Sequence, residues 1–216
     1  DSLMLEIPKP TLGRLPLYYR ALVTAADAGL EIISSAELGE SAGVDSAQVR
    51  KDITYFGQFG RPGIGYNVPN LLLALEQILG LSNPNEAVLV GAGRLGMAIC
   101  NYPGFTRFGL KIVAIFDIDP QKQGQQVDGL EIFPLWRLER IVKKLGTQIG
   151  IITTPASSAQ GVAKMLIASG VQAIWNFAPV NLKVPPDVIL RNEDLAVGLA
   201  TLSHYLSSGH GSQKLK

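Results

Sequence analysis

Three glycines in the second half of the chain have the spacing of a loop that holds phosphate groups. Gly91, Gly93 and Gly96 form a G-x-G-x-x-G pattern that follows the apolar run 87–90 and opens a helical stretch. In this context the first glycine allows a tight turn, the second lets backbone approach a pyrophosphate, and the third permits close packing of helix on strand. The helix N-terminus adds N–H donors and a partial positive charge. The pattern predicts a dinucleotide site formed by Gly91, Ala92, Gly93, Arg94, Leu95 and Gly96.

An acidic residue at the end of the next predicted strand indicates which dinucleotide binds. Asp117 follows the run KIVAIF at 111–116, where its carboxylate can accept hydrogen bonds from the adenosine ribose and repel a 2′-phosphate. This favours NAD⁺ and NADH over their phosphorylated forms. Thr154 and Pro155 lie where another predicted strand meets a helix, on the same edge of the sheet as the glycine loop. They are expected either to contact the far half of the cofactor or simply to cap the helix.

The groups that a hydride-transferring enzyme needs beside its cofactor are scarce in this sequence. His204 and His210 are the two histidines and Cys100 is the one cysteine, and neither histidine is near the glycine loop in sequence. Such a reaction normally uses a side chain that exchanges a proton with the substrate. We therefore expect a protein that binds the cofactor without catalysis and without a metal. A small NAD-dependent dehydrogenase and a CoA- or nucleotide-binding module are the alternatives left open.

The first 81 residues follow a helical pattern. Apolar residues recur at three- and four-residue steps over 11–28, a short helix capped by Ser35 covers 35–42, and a third helix starts at Asp45 or Ser46. Two short helices joined by a glycine turn and preceded by a longer helix form the helix-turn-helix pattern. The third helix is the one that enters a DNA groove in such proteins.

A glycine-rich segment follows this third helix. GQFGRPGIGY, at 57–66, suits a small hairpin whose tip is Arg61-Pro62-Gly63, which is the wing of a winged helix. In the helix itself, Val49, Ile53 and Phe56 share the inward face. The residues left on other faces, and so available to a partner, are Gln48, Arg50, Lys51 and Tyr55.

Strands and helices alternate beyond residue 82. Short branched-apolar runs separated by helical stretches predict a parallel sheet covered on both faces, a Rossmann domain over 82–193 in an α/β fold. The last helix, within 194–208, is apolar on several sides, which indicates that it buries against another subunit. Residues 209–216 are predicted to be a disordered tail.

Composition sets few limits on the partner. The formal net charge is +1, and residues 1–80 contain six Lys and Arg against nine Asp and Glu, so DNA binding must depend on where the charges are placed. No apolar run is long enough for a membrane span, and the first residues lack the pattern of a signal peptide. We therefore expect a cytoplasmic protein.

Four segments carry a resemblance to a known family. They are RLPLYYR (14–20), VRKDITYFGQFGRPGIGY (49–66), VGAGRLGMAICNYPGF (90–105) and FDIDP (116–120). Together they resemble the Rex family of bacterial redox-sensing transcriptional repressors, over nearly the whole chain. The resemblance implies a homodimer with an N-terminal winged helix, a C-terminal Rossmann domain and a last helix that swaps onto the partner subunit. It also implies binding to palindromic operator DNA when NADH is low and release when NADH binds.

The resemblance further implies roles for individual residues. It places the recognition helix at 46–59 and Arg61 in the minor groove, where arginine can exploit the negative potential of a narrow A·T-rich groove. It places Tyr102 near the nicotinamide, and it makes Arg14 and Asp194 a charged pair that, with Tyr102, distinguishes the two states. The DNA-contacting residues expected in all are Ser46, Gln48, Arg50, Lys51, Tyr55, Arg61 and Gly63.

Overall fold

The structure is a computed structural model that describes residues 7–61 and 63–207. The described residues form two compact units, one up to Asn83 and one from Pro84 onward. The first of them is a winged helix. Its elements are α1 (Lys9–Asp27), β1 (Ile32–Ile33), α2 (Ser35–Ala42), α3 (Ser46–Ile53), β2 (Gly60–Arg61), β3 (Gly65–Asn67) and α4 (Val68–Ile78). The hairpin strands β2 and β3 pair antiparallel, and β1 adds a strand on the other side of β3.

Three details of this unit differ from the sequence-based expectation. The long helix starts earlier and continues through Pro16, because Leu15 and Tyr18 on either side of the proline are fully buried and their packing outweighs the lost backbone bond. The cap of α2 is Ser34, not Ser35, since Ser34 and Glu37 form a reciprocal capping box. The third helix ends at Ile53 and does not continue to Phe59. After Ile53, single turns of the backbone replace the regular helical hydrogen bonds.

The second unit is an open α/β sheet with helices on both faces. Its elements are β4 (Asn85–Val90), α5 (Arg94–Cys100), α6 (Gly104–Arg107), β5 (Leu110–Asp117), β6 (Gln126–Val127), β7 (Leu130–Pro134), α7 (Leu138–Leu145), β8 (Ile149–Ile152), α8 (Ala156–Ala168), β9 (Ala173–Asn176), β10 (Ile189–Asn192) and α9 (Leu195–Ser207). The strand order is β10-β9-β8-β4-β5-β7-β6, parallel except for β6. This is the doubly wound order of a Rossmann fold, so the predicted fold class is confirmed.

The strand order determines where a ligand can bind. The chain proceeds outward in one direction from β4 through β5 to β7, and then returns to continue in the other direction through β8, β9 and β10. The crevice at the carboxyl ends of β4 and β8 is therefore the topological switch point, the place where open α/β sheets hold their ligands. Four strands were not predicted from the sequence, because they are short and lie at or next to sheet edges: β1, β6, β7 and β10.

Helix α9 differs from the other elements in its surroundings. Its large apolar side chains are mostly in solvent: Leu195 is 70% exposed, Leu199 67%, Leu202 50% and Leu206 82%. These four leucines recur at steps of four, three and four residues, so they share one face of the helix. Asp194, predicted as the first helical residue, is instead the cap, and its Oδ1 accepts from the Ala196 N–H at 2.9 Å.

Candidate functional site

The glycine loop connects β4 to α5 at the switch point. The Gly91 N–H donates to the Phe116 carbonyl at 2.8 Å, which fixes the loop to the end of β5. From the end of β8, the Thr153 hydroxyl donates to the Gly91 carbonyl at 2.7 Å. The loop is thus held from both neighbouring strands, and helix α5 starts directly after Gly93 with its N–H groups directed toward the crevice.

The three glycines of the motif have different surroundings. Gly91 has φ +109°, and a Cβ there would lie 2.8 Å from the Thr153 carbonyl carbon. A Cβ on Gly96 would overlap the carbonyl oxygen of Gly91, so helix and strand approach as closely as they do only because a side chain is absent. A Cβ on Gly93 would meet nothing within 4 Å. The fold requires Gly91 and Gly96, whereas the space at Gly93 is left for a ligand.

Alanine substitutions should distinguish the glycines that the fold requires from the glycine that leaves space for a ligand. Gly93→Ala should leave the free energy of unfolding within about 0.5 kcal/mol of the wild-type value, because its φ of −80° suits any residue. It should nevertheless weaken NADH binding by about tenfold or more, since the methyl group occupies the space that the pyrophosphate needs. Gly96→Ala should destabilise the Rossmann unit by about 3 kcal/mol. Urea denaturation and calorimetric titration with NADH measure both quantities, and equal destabilisation by the two variants would refute the distinction.

Asp117 lies at the end of β5 with its carboxylate facing the glycine loop. Its Oδ2 accepts from the Ala92 N–H at 2.7 Å and from Lys122 Nζ at 3.3 Å, and its Oδ1 accepts from the Asp119 N–H at 2.8 Å. The residue is buried. A carboxylate offers about four lone-pair directions, and three of them are used here, so one remains for a ribose hydroxyl.

Thr154 and Pro155 lie across the switch point from the glycine loop. Pro155 precedes the first residue of α8. The Thr154 hydroxyl oxygen is buried and has no hydrogen-bond partner among the described residues. A buried hydroxyl without a partner is unfavourable unless a ligand supplies one. Together with the open space at Gly93, it indicates that these residues fit a dinucleotide.

The remaining predicted cofactor residues are distributed around α5. Ala92 is buried and Leu95 packs into the core of the sheet, so both contribute mainly backbone to the crevice. Arg94 is exposed at the first position of the helix. Tyr102, 57% exposed, follows the helix and packs edge-on against Phe105 at a ring-centroid distance of 5.0 Å.

Neither a metal-binding cluster nor a reactive thiol is present among the residues that the structure describes. The described residues contain no cluster of histidine, cysteine and acidic side chains that could hold a metal ion. Burial raises the pKa of the Cys100 thiol to about 11, so at neutral pH it is the unreactive thiol and not the thiolate. None of the helices in ranges 7–61 and 63–207 has the length and apolar character needed to cross a membrane.

Helix α3, predicted as the recognition helix, exposes cations on its outer side and is anchored by its apolar inner side. The Asp45 carboxylate caps its first turn by accepting from the Ala47 N–H at 2.8 Å. Val49 and Ile53 are buried on its inward side, whereas Arg50 and Lys51 are exposed. Of the other predicted contacts, Ser46 and Tyr55 are partly buried and Gly63 is exposed at the turn of the hairpin.

A cleft of about 630 Å³ separates α3 from the hairpin. Arg50 lines it from the helix and donates to the Ser35 hydroxyl at 2.9 Å, while Phe59, Gly63 and Tyr66 line it from the hairpin side. Arg61 belongs to β2, and its side chain lies outside the described part of the structure.

A buried carboxylate that was not among the predicted site residues connects α3 to α1. Asp52 is fully buried and accepts two hydrogen bonds from Arg14, at 2.6 Å from Nε and 2.8 Å from Nη2. Tyr18 donates to it at 2.7 Å, Thr11 at 3.0 Å and Gln48 at 2.8 Å. We call these five residues the Asp52 cluster. It engages two of the predicted site residues, Gln48 and Arg14, inside the winged-helix unit.

The hydrogen bonds of the Asp52 cluster keep its carboxyl group ionised. Burial alone would raise the pKa of the Asp52 carboxyl, but the hydrogen bonds donated by its four neighbours outweigh burial and lower this pKa to about 2, from an ordinary value of 3.8. The same carboxylate raises the pKa of Arg14. Burial and then Asp52 raise the pKa of Tyr18. At neutral pH the cluster is one carboxylate, one guanidinium and one neutral phenol.

These pKa values predict an acid-labile winged helix. Because the pKa of Asp52 is lower in the folded chain than in the unfolded chain, its contribution is complete above about pH 4 and is lost as pH falls toward 2. The loss amounts to about 2 kcal/mol of unfolding free energy. Urea denaturation of wild type and Asp52→Asn between pH 2 and 5 measures it. The variant should lack this component, and parallel curves for the two proteins would contradict the assignment.

Two family models match consecutive parts of the chain. One, described as "Putative DNA-binding protein N-terminus", matches residues 6–54, and the other, "CoA binding domain", matches residues 82–180. Among solved structures, that of RSP in complex with β-NAD⁺ and operator DNA has a TM-score of 0.87 and 39% identity, and the match covers 94% of both chains. The structure of RSP in complex with β-NADH has a TM-score of 0.83 and 36% identity, with 97% of both chains covered.

A winged helix and a dinucleotide-binding unit on one chain define a ligand-responsive DNA-binding regulator. The redox-sensing transcriptional repressor Rex of Desulfitobacterium hafniense is 51% identical over 199 residues, which are 92% of this chain and 95% of the relative. The repressor of the same name from Pelotomaculum thermopropionicum is 47% identical over 202 residues, 94% of this chain and 95% of the relative. The chain belongs to the Rex family of redox-sensing transcriptional repressors and is a regulator, not an enzyme.

Proposed function

We propose that this protein is a homodimeric repressor that binds operator DNA through its winged helix and leaves it when NADH occupies the Rossmann unit. The observation that carries the proposal is the presence of both sites on one chain. The exposed Arg50 and Lys51 of α3 suit DNA, and the fingerprint from Gly91 to Asp117 suits NAD(H). A relative of known structure is in complex with β-NAD⁺ and operator DNA, and again with β-NADH.

The DNA contacts divide between the helix and the wing. Arg50 and Lys51 are exposed on α3 and are the residues we assign to the major groove and its phosphates. Gln48 donates to Asp52, so its amide supports the helix in this structure and would have to turn outward to contact a base. Arg61 is the residue we assign to the minor groove.

Selectivity for NADH follows from the charge of the nicotinamide ring. NAD⁺ carries a positive charge on this ring and NADH does not, so enclosure among apolar side chains disfavours the oxidised form. Tyr102 begins a series of aromatic contacts that continues through Phe105 to Trp175, with centroid distances of 5.0 and 5.4 Å. Covering this aromatic surface by a second subunit would exclude water from the ring and favour NADH.

The dimer is what converts cofactor binding into a DNA response. We propose that α9 packs on the second subunit through its leucine face and that NADH stabilises the arrangement of subunits that binds DNA poorly. By linkage, NADH can lower operator affinity only as far as it prefers that arrangement. Arg14 and Asp194 were predicted to pair in one of the two states. Because Arg14 is bonded to Asp52 here, such a pair requires the guanidinium to exchange one carboxylate for another.

Operator titration in the presence of each cofactor tests the proposal. A palindromic operator should be bound tightly by the protein alone or with NAD⁺, and NADH should raise the concentration needed for half-saturation. The two half-sites should be one or more helical turns apart, about 34 Å per turn. A gel-shift series with NADH, NAD⁺ and NADPH, and with one half-site scrambled, measures both effects. Equal half-saturation with NADH and NAD⁺ would rule the proposal out.

A single substitution in the wing should separate the two sites. Arg61→Ala should weaken operator binding by about tenfold, because one minor-groove arginine is removed, and leave NADH affinity unchanged. Gel shift and calorimetry measure the two affinities, and Arg107→Ala, which removes the cation at the last residue of α6 in the Rossmann unit, is the control. A parallel loss of NADH affinity would show that the wing does not act through DNA alone.

The CoA description attached to the Rossmann match does not change the assignment. A CoA-binding module would share the sheet and the glycine loop, whereas the Asp117 carboxylate beside the Ala92 N–H is the acceptor expected for an adenosine ribose with free hydroxyls. We therefore assign NAD(H). A repressor that meets both DNA and this cofactor acts in the bacterial cytoplasm, which is where we place it.

A further inference from the structure

A lysine lies beside the carboxylate that we assign to the adenosine ribose. Lys122 Nζ is 3.3 Å from Asp117 Oδ2 and 3.8 Å from Asp119 Oδ2. The turn after β5 brings it there, since the Lys122 N–H donates to the Asp119 carbonyl at 3.1 Å and the Gln123 side chain donates to the Asp117 carbonyl at 3.2 Å. The Lys122 side chain is 35% exposed, so its ammonium is partly in solvent.

An acid at this position and a cation at this position have opposite effects on a 2′-phosphate. The carboxylate repels it and accepts from a free 2′-hydroxyl, whereas a cation attracts it. Asp117 alone would therefore exclude NADPH strongly. The Lys122 ammonium offsets part of the charge of Asp117, the residue that we assign to the adenosine ribose.

We propose that Lys122 is a specificity-determining residue that limits how strongly the site discriminates NADH from NADPH. This inference rests on the proposed function, because it concerns the ribose end of the same cofactor site. With Lys122 present, the 2′-phosphate of NADPH meets a carboxylate and an ammonium together. The protein therefore retains affinity for NADPH that Asp117 by itself would remove.

Removing the lysine charge tests this directly. In Lys122→Met the ratio of the NADPH dissociation constant to the NADH dissociation constant should rise at least about threefold, the size expected of one partly exposed ion pair. The rise should shrink at high ionic strength, because salt screens exposed charges. Lys143→Met is the control: Lys143 pairs with Glu139 on α7 at 2.6 Å, and its removal should leave the ratio unchanged.

A second pair of variants distinguishes the effect of the Lys122 charge on cofactor binding from general effects on folding. In Asp117→Asn, NADPH affinity should rise while NADH affinity falls, because the Asp117 charge that repels the 2′-phosphate is gone and the Lys122 ammonium keeps only its longer pair with Asp119. In Asp117→Asn with Lys122→Met, the gain for NADPH should disappear. Calorimetric titration of full-length dimer with NADH and NADPH measures all four proteins.

The outcomes distinguish the inference from the function on which it rests. A ratio that rises in Lys122→Met, with the gain in Asp117→Asn dependent on Lys122, supports the assignment. Normal NADH binding with an unchanged ratio in Lys122→Met would overturn it and leave the proposed function standing. Failure of the unsubstituted protein to bind NADH would overturn both.

Discussion

Replacing Asp52 with alanine should lower the free energy of unfolding of the winged-helix unit by about 3 kcal/mol, the effect of removing one partner from a buried, hydrogen-bonded ion pair. The fully buried Tyr18 hydroxyl loses its acceptor, while Arg14, with 26% of its side chain exposed, can turn toward water. Asp52→Asn keeps the shape and should cost less. Glu40→Ala, at an exposed position of α2, is the control and should change stability by less than about 0.5 kcal/mol.

The same substitution should also affect the reading of DNA. The Asp52 cluster is a set of side-chain bonds between α1 and the helix assigned to the major groove, so its loss should leave α3 less well positioned. Operator affinity at a temperature where Asp52→Ala is folded should fall by about tenfold, whereas NADH affinity, which belongs to the other unit, should not change. Urea denaturation with gel shift and calorimetry measures all three quantities. A variant as stable and as tight on operator as wild type would reject the role of the cluster.

The signals that predict the cofactor site are local. The glycines at 91, 93 and 96 and the acid at 117 have fixed places relative to one strand, one turn and one helix, and each place has a chemical reason. The structure adds what local pattern cannot contain. Lys122 reaches Asp117 only because the turn after β5 reverses the chain, and the hydroxyl of Thr154, a residue already predicted from the sequence, is buried without a partner among the described residues.

The Asp52 cluster shows why the rest was not predicted. Thr11, Arg14 and Tyr18 are spaced by three and four residues and share a face of α1, and Asp52 follows Val49 by three residues on the inward side of α3. An acidic residue on the buried face of a helix requires a hydrogen-bond or ion-pair partner, and this requirement was the signal of the cluster that the sequence offered. Which face of which helix supplies the partner is decided by packing between segments at least 34 residues apart, and periodicity does not report it.

The wing and the end of α3 illustrate a different limit. The glycine-rich segment predicted the existence of the hairpin because turn residues constrain backbone strongly, but Arg61, predicted at its tip, instead belongs to β2 and pairs with Gly65. The end of α3 was predicted too late, since the apolar step from Ile53 to Phe56 continues the helical period past the last helical residue. Burial sets that period, but backbone hydrogen bonds set the end of a helix, and the two do not have to coincide.

Placing a charge on the leucine face of α9 should disrupt the homodimer. Leu199 is 67% exposed in the single chain and shares its face with Leu195, Leu202 and Leu206. Burying one leucine contributes about 1.5–3 kcal/mol, and in a symmetric dimer each substitution acts twice. Leu199→Asp should therefore raise the dimer dissociation constant by about a hundredfold or more. Sedimentation velocity over a range of protein concentrations measures the change.

A matched control lies next to it on the helix. Ala200→Asp introduces the same charge one residue away, on a different side of α9, and should leave the dimer largely intact. Because a palindromic operator is bound by two recognition helices at once, Leu199→Asp should also lose tight operator binding, while Ala200→Asp keeps it. If both variants remain dimeric at concentrations where wild type does, α9 packs on something other than a second copy of the chain. The exposure of its four leucines, two-thirds or more for three of them, would then require another partner.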